Sequence, residues 1–256
     1  MDIFLQYQNF GEHEIAHLSD LHIDSQADAI YGVNPIDNLE RAVSMLEKIQ
    51  DIDAGIITGD ISNDGEDDSL MKADKILSSL NFPIYILAGN HDNVERMHNL
   101  SPYFKKMLVK DTFKIDEYLF IMLDSVWKDG GNKSSGLLPS EELNRIQSAK
   151  NYQGIITLAL HHAAIETGSW LDKRMLSNRN QLKAIVKKFP NIKLVLCGHN
   201  HSPAEEQIGQ CLFCTAPAVS TSFSPARKAF EEVYSPGFNI IDYNSDTISL
   251  VSGKES

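Results

Sequence analysis

Asp20-Leu21-His22, Gly59-Asp60, Gly89-Asn90-His91-Asp92, His161-His162 and Gly198-His199-Asn200-His201 carry the side chains best suited to chemistry in this 256-residue sequence. They offer carboxylate and amide oxygens together with imidazole nitrogens and no thiolate, a donor set for hard-to-borderline divalent cations. The D-x-H and H-x-H spacings predict that both side chains of each pair point the same way from an extended segment. Glycine before Asp60, Asn90 and His199 predicts sharp backbone turns. Taken singly, each string has an ordinary explanation as a surface pair, a turn or an Asx cap. Together they recur in one kind of place.

That place is the end of a strand. Apolar runs at Glu14–Leu18, Gly55–Thr58, Pro83–Ala88, Ile155–Leu160 and Lys193–Cys197 read as strands, and each is followed by one of the five strings, the first after Ser19 and the others directly. The carboxyl edge of an α/β sheet is where such folds build their sites. Leu39–Ile49, Leu70–Leu80 and Gln181–Phe189 show helical periodicity, and Ser140 reads as the cap of a further helix with Glu141 and Glu142 in its first turn. Tyr118–Leu123 is a further strand, residues 130–136 are a glycine-rich loop, and Cys211–Thr215, Phe238–Asp242 and Thr247–Val251 are late β segments. Strands alternating with helices, then strands alone, predict a layered α/β domain with a mixed sheet or a sheet pair. No linker divides the chain, so a single domain over 1–256 is expected.

The totals bound the function. The formal net charge is −12, with no clustered basic face, which argues against nucleic acid as a partner. Three cysteines do not suggest a disulfide framework, and Cys211-x-x-Cys214 lacks the second pair of a structural zinc site, so they read as buried thiols. No signal peptide or membrane span is legible, and a cytoplasmic location is expected.

The ordered set D-x-H, G-D, G-N-H-D, H and G-H-x-H resembles the calcineurin-like metallophosphoesterase superfamily. The resemblance implies a four-layer αββα sandwich and two divalent metal ions (Fe, Mn or Zn). It implies that Asp20, His22 and His201 bind one metal, Asn90, His161 and His199 the other, and that Asp60 bridges them. His161 is chosen over His162 because the family string is usually His-x-Pro, although Ala163 stands where Pro is common; His162 is then a wall residue. His91 would face the substrate as the catalytic side chain, with Asn90, His22 and His201 also touching it.

The stretch from His161 to Pro236, including Gly168-Ser169-Trp170-Leu171-Asp172 and Leu196-Cys197-Gly198-His199, is similar to class III cyclic-nucleotide phosphodiesterases. The implied reaction is hydrolysis of a 3′,5′-cyclic nucleotide, cyclic AMP, to the 5′-monophosphate by a metal-bridging hydroxide. Other small phosphodiesters or phosphomonoesters, a nuclease and a non-enzymatic scaffold are the alternatives. Residues 162–180 would form a cap. Trp170 is either a hydrophobic plug or a cap residue near the nucleotide. Phe223 stacks on a base or belongs to the core. Asn63 is a support for the metal ligands or a loop cap, and Asp92 orients His91 or a loop amide, or caps a turn. A homodimer is left open.

Overall fold

The computed structural model describes residues 13–27, 29–30, 32–127, 134–168, 170–222, 236–243 and 248–254. Phe223, Ser169, Ser224, Ser235 and most of the glycine-rich loop at 130–136 lie outside these. Twelve strands and five α-helices are described: β1 His13–Leu18, α1 Pro35–Leu46, β2 Ile52–Thr58, α2 Asp67–Leu77, β3 Ile84–Leu87, α3 Val94–Leu100, β4 Met107–Val109, β5 Thr112–Ile115, β6 Tyr118–Leu123, α4 Ser140–Ser148, β7 Ile156–Leu160, α5 Arg179–Val186, β8 Ile192–Cys197, β9 Ala204–Ile208, β10 Cys211–Thr215, β11 Gly237–Tyr243 and β12 Ile248–Lys254.

The strands form two sheets, ordered β12-β11-β1-β2-β3-β4 and β5-β6-β7-β8-β10-β9. In the first, β1 to β4 run parallel and β11 and β12 close one edge antiparallel. In the second, β6, β7, β8 and β10 are parallel, with β5 and β9 as antiparallel edges. Parallel neighbours need crossovers, and helices supply most of them.

The two-residue period of the strands sorts their side chains into three cores. Ile15, Ala54, Ile56, Tyr118, Phe120, Leu194, Leu196 and Tyr243 pack between the sheets. Ala16, Leu18, Ile57 and Ile86 face outward against Leu39, Val43 and Leu46 of α1 and Leu70 and Leu77 of α2. Leu158, Leu160, Val195 and Cys197 face outward against Leu143 and Ile146 of α4 and Leu182 and Val186 of α5. The result is the expected α/β, four-layer αββα sandwich, in its sheet-pair form. Cys197, Cys211 and Cys214 are free and buried, as expected; burial pushes the Cys197 and Cys211 thiols up to about 12. Among the described residues no helix is long and apolar enough to cross a membrane.

Several boundaries differ from expectation. α1 begins at Pro35, because Asn34 accepts hydrogen bonds from the Ile36 and Asp37 amides and Pro at the first helical position costs no amide bond. α2 and α5 each start and end two or three residues earlier than read. Ser140 is not a cap: it is the first helical residue, preceded by Pro139, and makes no capping bond. α3, β4, β5 and β9 were not expected. β9 reads AEEQI and is mostly exposed, an acidic edge strand with no apolar alternation to betray it.

Candidate metal centre

The C-terminal ends of β1, β2 and β3 in one sheet, and of β7 and β8 in the other, converge at one rim, and all seven expected ligands lie there. Asp20, His22 and His201 form one group of closely spaced ligand atoms, and Asp20, Asp60 and His161 another. Asp60 joins them: its Oδ2 lies 3.6 Å from His22 Nε2 and 3.4 Å from His161 Nε2. On one side His201 Nε2 stands 3.1 Å from His22 Nε2 and 3.4 Å from Asp20 Oδ1. On the other, His161 Nε2 stands 3.1 Å from Asn90 Oδ1 and 3.3 Å from His199 Nδ1.

The route by which these side chains converge differs from the extended-strand expectation. Asp20, His22, Asp60, His199 and His201 all have positive φ, between 47° and 72°, so the D-x-H and H-x-H segments are left-handed turns. Side chains other than glycine rarely adopt this region, and such strain gathers at functional sites. It is held by backbone bonds across the rim: Asp20 N–H donates to Gly59 O at 3.0 Å, His22 N–H to Asp60 O at 2.9 Å, and Ser220 N–H to Asp20 O at 3.1 Å.

The glycines also divide. Gly59 is a true turn residue, with φ of 91°. Gly89 and Gly198 have ordinary φ and are needed for close approach instead: a Cβ at Gly89 would strike the Asp60 carboxylate and amide, and one at Gly198 would strike Ser19 Oγ.

The buried imidazoles are aimed by their second nitrogens. His161 Nδ1 pairs with the Thr58 carbonyl at 2.7 Å, and His201 Nδ1 with the Thr221 carbonyl at 2.6 Å. Each carbonyl accepts an Nδ1–H, which turns Nε2 inward as a ligand atom. Asp20 Oδ2 accepts the His199 amide at 3.0 Å, while its buried Oδ1 has no hydrogen-bond partner. This buried oxygen faces His201 Nε2 at 3.4 Å and His22 Nε2 at 3.9 Å, a convergence of donor atoms that a cation would satisfy.

The electrostatics agree. Burial opposes charge on Asp60, yet His161, His22 and His91 hold its carboxyl well below the usual range. Burial also opposes charge on His161, but Asp60 and Asp20 outweigh it and raise the imidazole to about 9. Burial lowers His22 to about 4 and, with His161 adding to it, His199 to about 3.

Asp92 is buried and accepts the amides of Gly89, Ile61 and Ser62 and the Ser62 hydroxyl at 2.8 to 3.1 Å, so of its expected roles it orients loop amides. His91 is exposed; its amide donates to Asp60 Oδ1 and its Nδ1 faces the Asn63 carbonyl at 3.0 Å. The Asn63 side chain donates to Asp24. His162 is buried, with Ser125 Oγ 2.8 Å from its Nδ1, and its ring lies beside that of His199, so that His161, His162 and His199 form a further group of closely spaced ligand atoms. Asn200 donates weakly to Thr167 and Asp172, joining the His199–His201 turn to these two residues. Trp170 is 39% exposed. Sequence reasoning missed Thr58 and Thr221, because both act through backbone carbonyls, which carry no residue signature.

This fold and this cluster of oxygen and imidazole ligands define a metal-dependent phosphoester hydrolase. The family model of calcineurin-like phosphoesterases matches residues 13–203, and the chain belongs to that family, whose members use a dinuclear metal centre. A 3′,5′-cyclic-nucleotide phosphodiesterase of Nostoc is 27% identical over 91% of this chain and 88% of its own length. A glycerophosphodiester phosphodiesterase of Enterobacter lignolyticus is 28% identical over 80% and 77%. A dimetal phosphatase of Danio rerio shares the fold at a TM-score of 0.69, with 11% identity over 95% and 96% of the two chains.

Proposed function

We propose that the protein hydrolyses 3′,5′-cyclic nucleotides, cyclic AMP foremost, to 5′-monophosphates at a two-metal centre. Asp20, His22 and His201 would hold one cation and Asn90, His161 and His199 the other, with Asp60 shared between the two sets. The observation that carries this reading is the position of Asp60 Oδ2, within 3.6 Å of an imidazole nitrogen from each group. Bound there, two divalent cations supply a nucleophile at neutral pH and neutralise charge on the phosphoryl oxygens.

The chain's own residues do the rest. Thr58 and Thr221 fix the imidazole tautomers. Asn90, His22 and His201 line the floor on which the phosphoryl group rests. His91, steadied through its Nδ1 by Asn63, offers Nε2 to the leaving 3′ oxygen as a proton donor. The acidic chain, with net charge −12, leaves attraction of an anionic substrate to the bound cations. Residues 162–180 serve as a cap within a single domain, consistent with the bonds from Asn200 to Thr167 and Asp172. Metal identity among Fe, Mn and Zn is left to supply and geometry.

The second reading is a glycerophosphodiesterase, favoured by the similarity to the Enterobacter lignolyticus enzyme. A substrate panel with Mn²⁺ separates the two: cyclic AMP, cyclic GMP, a 2′,3′-cyclic nucleotide, a glycerophosphodiester and a phosphomonoester. Fastest turnover of cyclic AMP to AMP is expected. Rapid hydrolysis of the phosphomonoester alone would overturn the reading.

A further inference from the structure

An open cleft of about 620 Å³ runs outward from His91, walled by Val94, Val126 and Trp127, with Asn93 and Arg96 along it. This volume falls within the ordinary range for small-molecule sites. His91 belongs both to this cleft and to the His22–Asp60–His91 group, so the cleft opens directly off the reacting centre. We propose that this cleft takes the nucleobase, with the Trp127 indole as its stacking platform; the proposal rests on the cyclic-nucleotide reading above.

Three observations point to an uncharged planar group. Trp127 is part-buried, with two valines alongside, so the wall is apolar and aromatic. Asp64 and Glu95 also line the cleft and leave it net negative once Glu66 is paired with Arg96. Among the described lining residues Arg96 is the only Lys or Arg, and its guanidinium is already paired with Glu66 and with Asp67. A second phosphate or a carboxylate therefore finds no free cation there, whereas a neutral base bearing amino groups meets both a ring face and acceptors.

The backbone leading to Trp127 is tied to the rim of the site. Trp127 follows β6 in residues 124–127, where the Val126 amide donates to Asp124 and Ser125 is bonded to the amide and ring of His162, the neighbour of His161. Ser125 O also accepts the Leu137 amide.

The test is the ratio of kcat/KM for cyclic AMP to that for a 3′,5′-cyclic ribose phosphate lacking the base, using the Mn²⁺-loaded enzyme. Trp127→Ala should lower this ratio roughly five- to a hundredfold, the span of base–aromatic stacking, and Trp127→Phe should restore most of it. Metal content and melting temperature of both variants, compared with wild type, show that the fold is kept. An unchanged ratio, or an equal loss on both compounds, would overturn the cleft assignment while leaving the cyclic-nucleotide reading intact. No turnover of either compound by the wild type would overturn that reading, and the cleft assignment with it.

Discussion

Nδ1 of His161 lies 2.7 Å from the carbonyl oxygen of Thr58, and this one contact fixes which ring nitrogen faces Asp60. In the absence of cations the same Nε2, 3.4 Å from the Asp60 carboxylate, holds a proton: burial disfavours it, but Asp60 and Asp20 raise His161 to about 9, and His201 is raised by Asp20 in the same way. A cation must displace those protons. Adding Mn²⁺ to chelator-treated protein at pH 7 in weak buffer is expected to release about one proton from His161 plus a contribution from His201, read by a pH electrode. Metal uptake without proton release would place the cation elsewhere.

Stability of the chelator-treated protein should peak near the ordinary imidazole pKa. His17, His22 and His199 are lowered by burial to about 3, about 4 and about 3. Below pH ~6.5 the unfolded chain binds protons at these sites and the folded chain does not, so stability falls as pH drops, by about 1.4 kcal/mol per pH unit for each histidine. His161, raised to about 9, acts in the opposite sense: its contribution is full below ~6.5 and is lost as pH rises through 9. Thermal melts from pH 4 to 9 should show a steep acid limb and a shallow alkaline one. A flat profile would show that these histidines are not buried.

Gly89→Ala should be severe although Gly89 has no unusual φ. A methyl there meets Asp60's carboxylate and backbone, so either the β3 or the β2 rim must shift. Overpacking of this kind costs about 1–3 kcal/mol, and displacement of Asp60 should cut turnover at least a hundredfold. Melting temperature and kcat, measured together, check this; near-normal kcat would mean the rim is more pliant than its bonds suggest.

Asp92→Ala removes a buried acceptor from three amides and a hydroxyl at once. Unsatisfied buried donors cost about 1–3 kcal/mol each, so a loss of several kcal/mol is expected, with Asp92→Asn recovering part of it. Urea unfolding of the two variants reads this directly. Equal stability of Ala and Asn would indicate that water replaces the carboxylate.

Much of the candidate site was legible because its side chains sit at strand ends, and apolar strands such as ITLAL and IKLVLC announce themselves. The geometry was less legible. Asp20-x-His22 and His199-x-His201 converge through left-handed turns, and nothing in a three-residue spacing distinguishes that from an extended pair. Gly89 and Gly198 read as turns but serve close packing, a property of partners 29 and 179 residues away in sequence, Asp60 and Ser19. β9 was invisible because an exposed acidic edge needs no apolar side chains. The carbonyls of Thr58 and Thr221 were invisible because every residue has one.

The bridging role of Asp60 is the claim on which the account turns, and metal stoichiometry with turnover in Asp60→Ala tests it most directly. The wild type should bind two metal ions per chain by elemental analysis and hydrolyse cyclic AMP. Asp60→Ala should retain the fold by circular dichroism, bind at most one ion and lose essentially all turnover. Full cyclic-AMP hydrolysis by Asp60→Ala, or by chelator-treated wild type, would contradict a two-metal mechanism bridged at this residue.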